Sequence, residues 1–322
     1  MSINSKISFK YLFFTTSVIT RNIVKRRSIL TLQTWQRGLF LLLNIRRHIK
    51  LVNTLSHPQA AKLILDIPEI SYKYLRNYIS FDISKKNSLA ILTGHYLYLQ
   101  KHFKTNFLEV IYNVPARLWA KQIDDIVCEI VIGFPHTIDY EGDLCLIFKI
   151  DKVSIYRIIF VISDGAPFGL GDKNVLFISS VQGMHDFENV KLATKLCHDI
   201  QPAQLLMAAM SGVTTALGFK TLVGIGNKNQ ISQGKKFYFS YNNFFEKYGA
   251  LVSDTNFYEI PVPFVEKPLE LIEMKHRKRT QKKRAFKNEI SDHVARAMEH
   301  FFVKEAQEVR RSIDSRKDVV TS

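Results

Sequence analysis

The fold of this chain is decided by residues 143–163, DLCLIFKIDKVSIYRIIFVIS. Two apolar runs of strand length, rich in Val, Ile and Phe, are separated there by Asp151-Lys152. Runs joined by so short a connection are typical of an antiparallel hairpin. Residues 125–134 (DIVCEIVIGF) and 174–182 (NVLFISSVQ) continue the pattern on either side. We therefore predict an antiparallel meander in the middle of the chain.

Helical patterns flank this meander. In residues 28–55, apolar side chains recur at steps of three and four, which predicts an amphipathic helix; they are Leu32, Trp35, Leu39, Leu42 and Leu43. Further helices are predicted from Pro58 to about Leu65 and over 69–79, 87–103, 187–199 and 203–217, with a short one over 241–248. Strands are predicted over 219–226 and 255–262. A strand, a helical crossover and another strand predict one locally parallel pairing.

The fold class that follows is α+β (α/β). We predict a basic helical N-terminal region over 1–105, a sheet-centred core over 106–267 and a basic helical tail over 268–322. The sheet is expected to be mixed and mostly antiparallel, with helices packed on it. From residue 174 onward the order strand, turn, helix, strand, helix, strand resembles the coenzyme-A-binding half of the acetyltransferase (GNAT-like) fold.

The positive charge is confined to two segments. The 322 residues have a formal net charge of +16. Residues 1–65 hold eleven Lys or Arg and no acid, and residues 275–287 hold eight more and again no acid. The rest of the chain is therefore slightly acidic, so the protein is a near-neutral globule with two basic ends.

Cysteines and targeting signals indicate a cytoplasmic protein, and peripheral contact with the inner membrane is left open. Cys128, Cys145 and Cys197 form no C-x-x-C pair, and a reducing compartment is the simplest interpretation. Tyr11 to Thr20 is apolar but short and lacks a cleavage site, so we do not predict secretion, although whether it is a targeting segment stays open. The longest uncharged run, 200–219, predicts a buried helix. No metal-ligand pattern occurs.

The transferase hypothesis predicts a cleft lined by polar side chains, with a phosphate-binding segment after the strand at 174–182. The polar candidates for acid–base work are His95, Tyr96, Gln182, Lys195, His198, Asn227 and Tyr241. A strand running into a helix start exposes backbone N–H groups that can hold phosphate; the candidates are Gly183, Met184, His185, Asp186 and Phe187. The sequence makes no cofactor evident. Acyl-CoA or another acyl donor is the ligand class that this site would take.

The segment HRKRTQKKR at 276–284 predicts contact with an anionic surface, against the alternative of a solvated helix face. The candidate cations are Lys275, Arg277, Lys278, Arg279, Lys282, Lys283 and Arg284. The partners we expect are anionic lipid of the inner membrane or an envelope protein. RNA ranks lower because no stacking aromatics accompany the charges. No sequence-specific DNA binding is expected, because no recognition-helix pattern is present.

The chain also resembles the VirK/YbjX family from about residue 38 to 264. Five stretches give the resemblance: 68–78 (PEISYKYLRNY), 92–103 (LTGHYLYLQKHF), 177–183 (FISSVQG), 193–206 (ATKLCHDIQPAQLL) and 241–249 with Phe257-Tyr258. The resemblance implies a bacterial virulence role. It further implies support for production or surface placement of an outer-membrane autotransporter, and envelope remodelling with resistance to cationic antimicrobial peptides.

Three functional hypotheses follow from these observations. The first is an intracellular virulence accessory factor that acts on the envelope, with no assigned chemistry. The second is a GNAT-like acyl- or aminoacyltransferase that modifies an envelope lipid or precursor. The third is an RNA-binding post-transcriptional factor. Whether the chain is an enzyme is left open by the sequence.

Overall fold

The computed structural model describes residues 32–135, 140–184, 187–231, 239–252 and 255–303. The segment Tyr11 to Thr20 lies outside them. Helices occupy the described chain up to residue 113. They are α1 (Leu32–Leu43), α2 (Ile45–Leu55), α3 (Pro58–Asp66), a 3-10 segment (Pro68–Leu75), α4 (Lys85–His102) and α5 (Phe107–Asn113).

Local capping explains where two of these helices begin. The His57 side chain accepts a hydrogen bond from the Gln59 N–H, and Pro58 takes the first helical position of α3. Ser84 caps α4 by accepting from the Asn87 N–H. The predicted breaks at His57-Pro58 and before residue 87 are therefore confirmed.

Two helical predictions need correction. The single helix predicted over 28–55 is interrupted at Asn44, between α1 and α2. The helix predicted over 69–79 is a 3-10 segment that ends at Leu75. Ile70 and Lys73, three residues apart, are both buried there, and a repeat of three residues per turn aligns them on one face.

The sheet has eight strands in the order β1-β2-β3-β4-β5-β6-β8-β7. The strands are β1 (Ala116–Ile123), β2 (Ile126–Gly133), β3 (Leu144–Ile150), β4 (Val153–Asp164), β5 (Asn174–Gly183), β6 (Thr221–Ile225), β7 (Ala250–Leu251) and β8 (Phe257–Pro261). Strands β1 to β5 pair antiparallel in sequence order, which confirms the meander. Strands β5 and β6 pair parallel, as the helical crossover predicts.

The sequence did not indicate β1 and β7. β1 lies at an edge of the sheet, where polar and charged side chains such as Arg117 and Lys121 interrupt the apolar pattern. β7 is only two residues long. The α+β class and the mixed, mostly antiparallel sheet are nevertheless confirmed.

The later helices pack on the sheet and on each other. They are α6 (Phe187–Leu196), α7 (Pro202–Ala216), α8 (Tyr241–Phe245) and α9 (Met274–Glu299). Helix α7, the predicted buried helix, contacts β3, β4, β5 and α9. Gly212 allows the close approach of α7 to α9, because a Cβ atom there would lie 2.3 Å from the carbonyl oxygen of Ser291. The apolar stripe Ile290, Val294 and Met298 faces this contact and is buried.

Strand β5 has an open edge, which we define as Ser179–Gly183 on the side facing β6. β5 pairs with β4 along its whole length, up to Gly183 beside Tyr156. Its parallel pairing with β6 covers only Leu176–Ile178. Within the described ranges no other strand pairs with the open edge. This edge therefore has backbone groups available to other partners.

Candidate functional site

Two carboxylates, Glu141 and Asp143, lie at the entry to β3, and both are buried. Gly142 separates them. A Cβ atom at this position would lie 2.7 Å from the Cγ2 atom of Ile159 and 3.0 Å from the carbonyl oxygen of Phe160. The glycine therefore allows this segment to lie directly against β4. Each carboxylate organises its own polar network.

Asp143 belongs to a sealed ion-pair cluster. Its Oδ1 atom lies 2.9 Å from the Nζ of Lys73, whose side chain is 2% exposed. Lys73 also donates to the carbonyl oxygen of Gly142 at 2.9 Å. The Tyr96 hydroxyl donates to Oδ1 at 3.1 Å, and the Tyr78 hydroxyl donates to Oδ2. A buried charge needs such partners, because an unpaired one would be strongly destabilising.

The charge states in this cluster follow from burial and from its neighbours. Burial alone would raise the pKa of Asp143, but the nearby Lys73 ammonium and the hydrogen bonds outweigh it, so the pKa lies below its usual range. Burial and the negative charge of Asp143 hold the pKa of Tyr78 and Tyr96 well above the usual value. Both tyrosines therefore remain donors to an ionised carboxylate.

His95 borders the cluster with one nitrogen satisfied and one not. Its Nδ1 atom accepts a hydrogen bond from the Ile162 N–H at 3.1 Å, which assigns the proton of the neutral ring to Nε2. Nε2 is buried and has no hydrogen-bond partner within the described residues. Burial lowers the pKa of His95 to about 4, so the ring is neutral at physiological pH.

Glu141 belongs to a second network, built from amide side chains. Gln182 Nε2 donates to its Oε2 at 3.0 Å, and Gln230 Nε2 donates to its Oε1 at 2.6 Å. The amide of Gln182 is oriented because its oxygen accepts from the Nη2 of Arg157 at 2.9 Å. The Ser179 hydroxyl donates to the carbonyl oxygen of Glu141. These contacts hold one carboxylate at the open edge of β5.

Tyr241 completes this second network from the start of α8. Its hydroxyl accepts from the Val181 N–H at 3.3 Å and lies 3.4 Å from the Val181 carbonyl oxygen. The hydroxyl is also 3.5 Å from the Nε2 of Gln230. A side chain thus takes the place where a neighbouring strand would pair with Val181. Burial raises the pKa of Tyr241, so its hydroxyl stays protonated at neutral pH.

Asn227 positions Tyr241. None of its described contacts is with Glu141 or Asp143. Its Oδ1 accepts from the Tyr241 N–H at 2.7 Å. Its own N–H donates to Oδ1 of Asn242 at 2.9 Å. This exchange ties the loop after β6 to the first turn of α8.

Four of the seven predicted polar candidates lie in two separate groups, one at each carboxylate. His95 and Tyr96 border Asp143, while Gln182 and Tyr241 belong to the Glu141 network. Lys195 is exposed on α6, and His198 lies with its ring 4.9 Å from that of Phe286. His198 and Asp199 both have a φ of 58°, so they form a left-handed turn rather than the regular element we expected. Neither Lys195 nor His198 has a described contact with the two carboxylates.

The predicted phosphate-binding segment is only partly described. Gly183, Met184 and Phe187 are exposed around the end of β5 and the start of α6, whereas His185 and Asp186 lie outside the described residues. Anion binding by this segment stays a prediction.

Sequence reasoning missed five members of the two networks, namely Lys73, Tyr78, Glu141, Asp143 and Gln230. Two signals could have indicated them. Two acids separated by one glycine precede an apolar strand, and a lysine stands within an aromatic stretch at 68–78. Four of the five stretches that resemble the VirK/YbjX family supply members of the networks, at Lys73 and Tyr78, His95 and Tyr96, Gln182, and Tyr241.

Five of the seven cations of helix α9 that were predicted to contact an anionic surface make contacts within the protein instead. Arg279 pairs with Asp199 at 2.8 Å and Arg284 with Glu266 at 2.6 Å. Lys275 pairs with Glu273 at 3.0 Å. Arg277 and Lys283 donate hydrogen bonds to backbone carbonyl oxygens. Lys278 and Lys282 are exposed, so they have the most freedom to meet an outside anion.

The described ranges contain neither a candidate metal site nor a helix that could span a membrane. No group of three or more His, Cys, Asp or Glu side chains there could hold a metal ion. No described helix combines the length and the apolar character that a bilayer span needs. Cys128, Cys145 and Cys197 are buried and form no disulfide bond with one another.

Known proteins that are similar to this chain include the following three. The uncharacterized protein YbjX of Escherichia coli K12 is 24% identical over 257 residues, which cover 75% of each chain. An uncharacterized protein of Haemophilus influenzae is 33% identical over 129 residues, 38% of this chain and 42% of its own. The membrane protein LapB of Mannheimia haemolytica is 25% identical over 181 residues, 54% of this chain and 73% of its own. No solved structure matches.

The family assignment rests on the profile of DUF535, described as a protein of unknown function, which matches residues 33–296. That span includes both carboxylate networks and nearly all of the described fold. Together with the similarity to YbjX, the match identifies this chain as a member of the DUF535 family, to which the VirK/YbjX-type proteins correspond.

Proposed function

We propose that this protein is a VirK/YbjX-type factor of the bacterial envelope and that it acts as an acyl- or aminoacyltransferase at the open edge of β5. The observation that supports the transfer activity is the Glu141 network with Tyr241 beside Val181. It combines a carboxylate, a protonated hydroxyl and a stretch of sheet edge that no described strand pairs with. Those are the groups that a thioester transfer needs.

The donor would bind as an extended chain along the open edge. An acyl thioester on a pantetheine arm carries two amides, which can hydrogen-bond to a strand edge as an added β-strand does. The Val181 N–H is held by the Tyr241 hydroxyl at 3.3 Å, a long contact that a ligand carbonyl can replace. Exposed Gly183 and Met184 follow directly and leave room for the phosphate end of the donor.

The chemical step assigns one role to each of two side chains. The acceptor amine or hydroxyl attacks the carbonyl carbon of the donor, and its proton passes to the Glu141 carboxylate. With a thioester donor the C–S bond then breaks and the Tyr241 hydroxyl gives its proton to the departing thiolate; with an aminoacyl-tRNA donor the ester C–O bond breaks and the same hydroxyl protonates the departing ribose oxygen. Solvent returns the proton from Glu141 to Tyr241, so the net products are the acylated acceptor and a free thiol or a free tRNA. Gln182 and Gln230 fix the position of the carboxylate.

The biological role that we propose is support for production or surface placement of an outer-membrane virulence protein, together with envelope remodelling. Membership of the DUF535 family and the similarity to LapB, which is named a membrane protein, support this role. A deletion strain complemented with the wild-type gene would regain surface exposure of its autotransporter and survival with cationic peptides. The biological role would be refuted if the wild-type gene restored neither the surface exposure of the autotransporter nor survival with cationic peptides.

The transfer activity is tested with purified full-length protein. We expect a rise in melting temperature with one class of donor among acyl-CoA, acyl carrier protein and aminoacyl-tRNA. Thiol or tRNA release by that donor should fall about a hundredfold or more in Glu141→Gln and Tyr241→Phe. The matched control is Asp292→Asn, an exposed acid on α9, which should release product at the wild-type rate. The absence of a shift with every donor, or full activity in Glu141→Gln, would overturn the transfer proposal.

A further inference from the structure

Helix α1 exposes an apolar face that no part of the described chain covers. Trp35 is 64% exposed, Leu42 66% and Leu43 76%. Leu39 is also exposed at 58%. An amphipathic stripe of this kind normally packs on the protein core. Soluble monomers rarely leave several large apolar side chains together in water unless the patch binds something.

The exposed side chains share one side of the helix. At 100° per residue, positions 35, 39, 42 and 43 fall within an arc of about 100°. Phe40 and Leu41 lie on the opposite side and pack against the core. The Phe40 ring is 6.3 Å from the ring of Tyr74. Helix α1 is thus anchored by one face and presents the other.

The first half of α2 follows α1 directly and exposes further apolar side chains together with charge. Ile45 and Ile49 are exposed there, as are the cations Arg46, Arg47 and Lys50. Residues 1–65 contain no acid that could neutralise these cations. We define the docking face as Trp35, Leu39, Leu42, Leu43, Ile45 and Ile49 with these three cations.

We propose that the docking face inserts into the interface of an anionic phospholipid bilayer. Apolar side chains on one face, with Lys and Arg beside them and a Trp among them, are the pattern by which helices lie in a membrane surface. The charge selects the occupant, because a purely basic and apolar face complements acidic headgroups above acyl chains. The 12 described residues of helix α1 are fewer than the roughly 20 that a bilayer span needs, and they suit a position in the plane of the interface.

This surface differs from the predicted one on α9. Five of the seven candidate cations on α9 have contacts within the protein, whereas the docking face combines its cations with apolar side chains. Neither the proposed transfer chemistry nor the Glu141 network is needed for this inference. A protein without transfer activity would still bind lipid through this face.

The two tryptophans of the chain allow a direct test. Trp35 is exposed, whereas Trp119 is 3% exposed and packs against the Phe286 ring. In a Trp119→Phe variant of the full-length protein, Trp35 is the sole tryptophan. Vesicles of phosphatidylethanolamine with phosphatidylglycerol should shift its emission to shorter wavelength, and lipids brominated on their acyl chains should quench it. Vesicles with phosphatidylcholine in place of phosphatidylglycerol should do neither.

Substitutions separate the apolar and the charged contributions. Leu42→Gln combined with Leu43→Gln should weaken vesicle partitioning about tenfold or more. Arg46→Gln combined with Arg47→Gln should weaken it and reduce its dependence on salt. Leu271→Gln is the matched control, because Leu271 is 64% exposed and stands outside the docking face. This control should bind as the wild type does.

Five results would overturn the proposal. The four obtained with vesicles are unchanged Trp35 emission with anionic vesicles, equal binding to both vesicle types, no quenching by brominated acyl chains, and wild-type binding by the Leu42→Gln/Leu43→Gln variant. A blue shift that depends on protein concentration without lipid would also overturn it, in favour of self-association. Circular dichroism of each variant would verify that the fold is retained.

Discussion

Glu141 and Asp143 stand on either side of Gly142, yet their surroundings differ in kind. Asp143 is closed in by a lysine and two tyrosine hydroxyls, and all of its partners are buried. Glu141 is held by neutral amides at a sheet edge whose backbone is not fully paired. The contrast indicates that Asp143 stabilises the entry to β3, while Glu141 is the carboxylate left for chemistry. Each prediction below tests this division.

The largest effect is expected when the sealed ion pair loses one partner. Lys73→Met would leave the Asp143 carboxylate buried without a counter-ion, and breaking such a pair lowers the free energy of unfolding by about 3 to 5 kcal/mol. Urea denaturation at neutral pH measures this loss. The double variant Lys73→Met/Asp143→Asn should recover part of it, since the amide oxygen still accepts from Tyr96 and no charge remains. A loss below about 1 kcal/mol in Lys73→Met would contradict the structural role.

The second effect concerns pH. His48 is buried on α2, with its Nδ1 atom 3.0 Å from the hydroxyl of Tyr74. Burial lowers the folded-state pKa of His95 and of His48 to about 4, against an ordinary value of 6.5. Between pH 6.5 and 4 the unfolded chain therefore binds protons that the native state excludes, and stability falls as the pH falls through that window. Each histidine contributes a slope of up to about 1.4 kcal/mol per pH unit.

Denaturation at several pH values between 4 and 7 measures this slope. His95→Asn should remove about half of it, while the Asn oxygen can still accept from the Ile162 N–H. An unchanged slope in that variant would show that His95 is not the buried neutral group responsible.

A smaller loss of stability is expected on the Glu141 side. Glu141→Gln places an amide NH₂ group against the amide donors of Gln182 and Gln230, which should lower the unfolding free energy by about 1 to 3 kcal/mol. The fold should persist while product release is lost. The comparison of the two carboxylates fails if Glu141→Gln is as unstable as Lys73→Met.

The smallest effect is expected for Tyr241→Phe. The contacts of the hydroxyl with Val181 and Gln230 are long, so its removal should lower the unfolding free energy by about 1 kcal/mol or less. Thermal denaturation tests this loss, and the transfer assay tests the proposed proton donation. A large loss of stability would show that Tyr241 chiefly closes the sheet edge.

Some residues of the two carboxylate networks could be predicted from the sequence, because the helix or strand that carries them has a recognisable local pattern. His95 and Tyr96 were selected from a helical stretch, and Gln182 from the end of a strand. Lys73 could not be paired with Asp143 from the sequence, because the two residues are 70 positions apart and their local patterns do not show that the side chains meet. Lys195 and His198 had equally suitable chemistry in sequence, but α6 and the turn after it place them away from both carboxylates.

The sequence by itself determined the meander, the crossover that makes β5 and β6 parallel, the approximate positions of most helices and the confinement of charge to the ends. All of these depend on periodicity, capping and composition within a few neighbouring residues. Tertiary structure alone decided that Lys73 and Asp143 are sealed together, that β5 keeps an open edge, and that the stripe of α1 faces outward. The physical reason is that the burial of a side chain depends on which distant segment packs against it. An apolar stripe of helical period can equally well pack on a protein core or lie in a membrane surface, so the pattern of α1 does not decide between them.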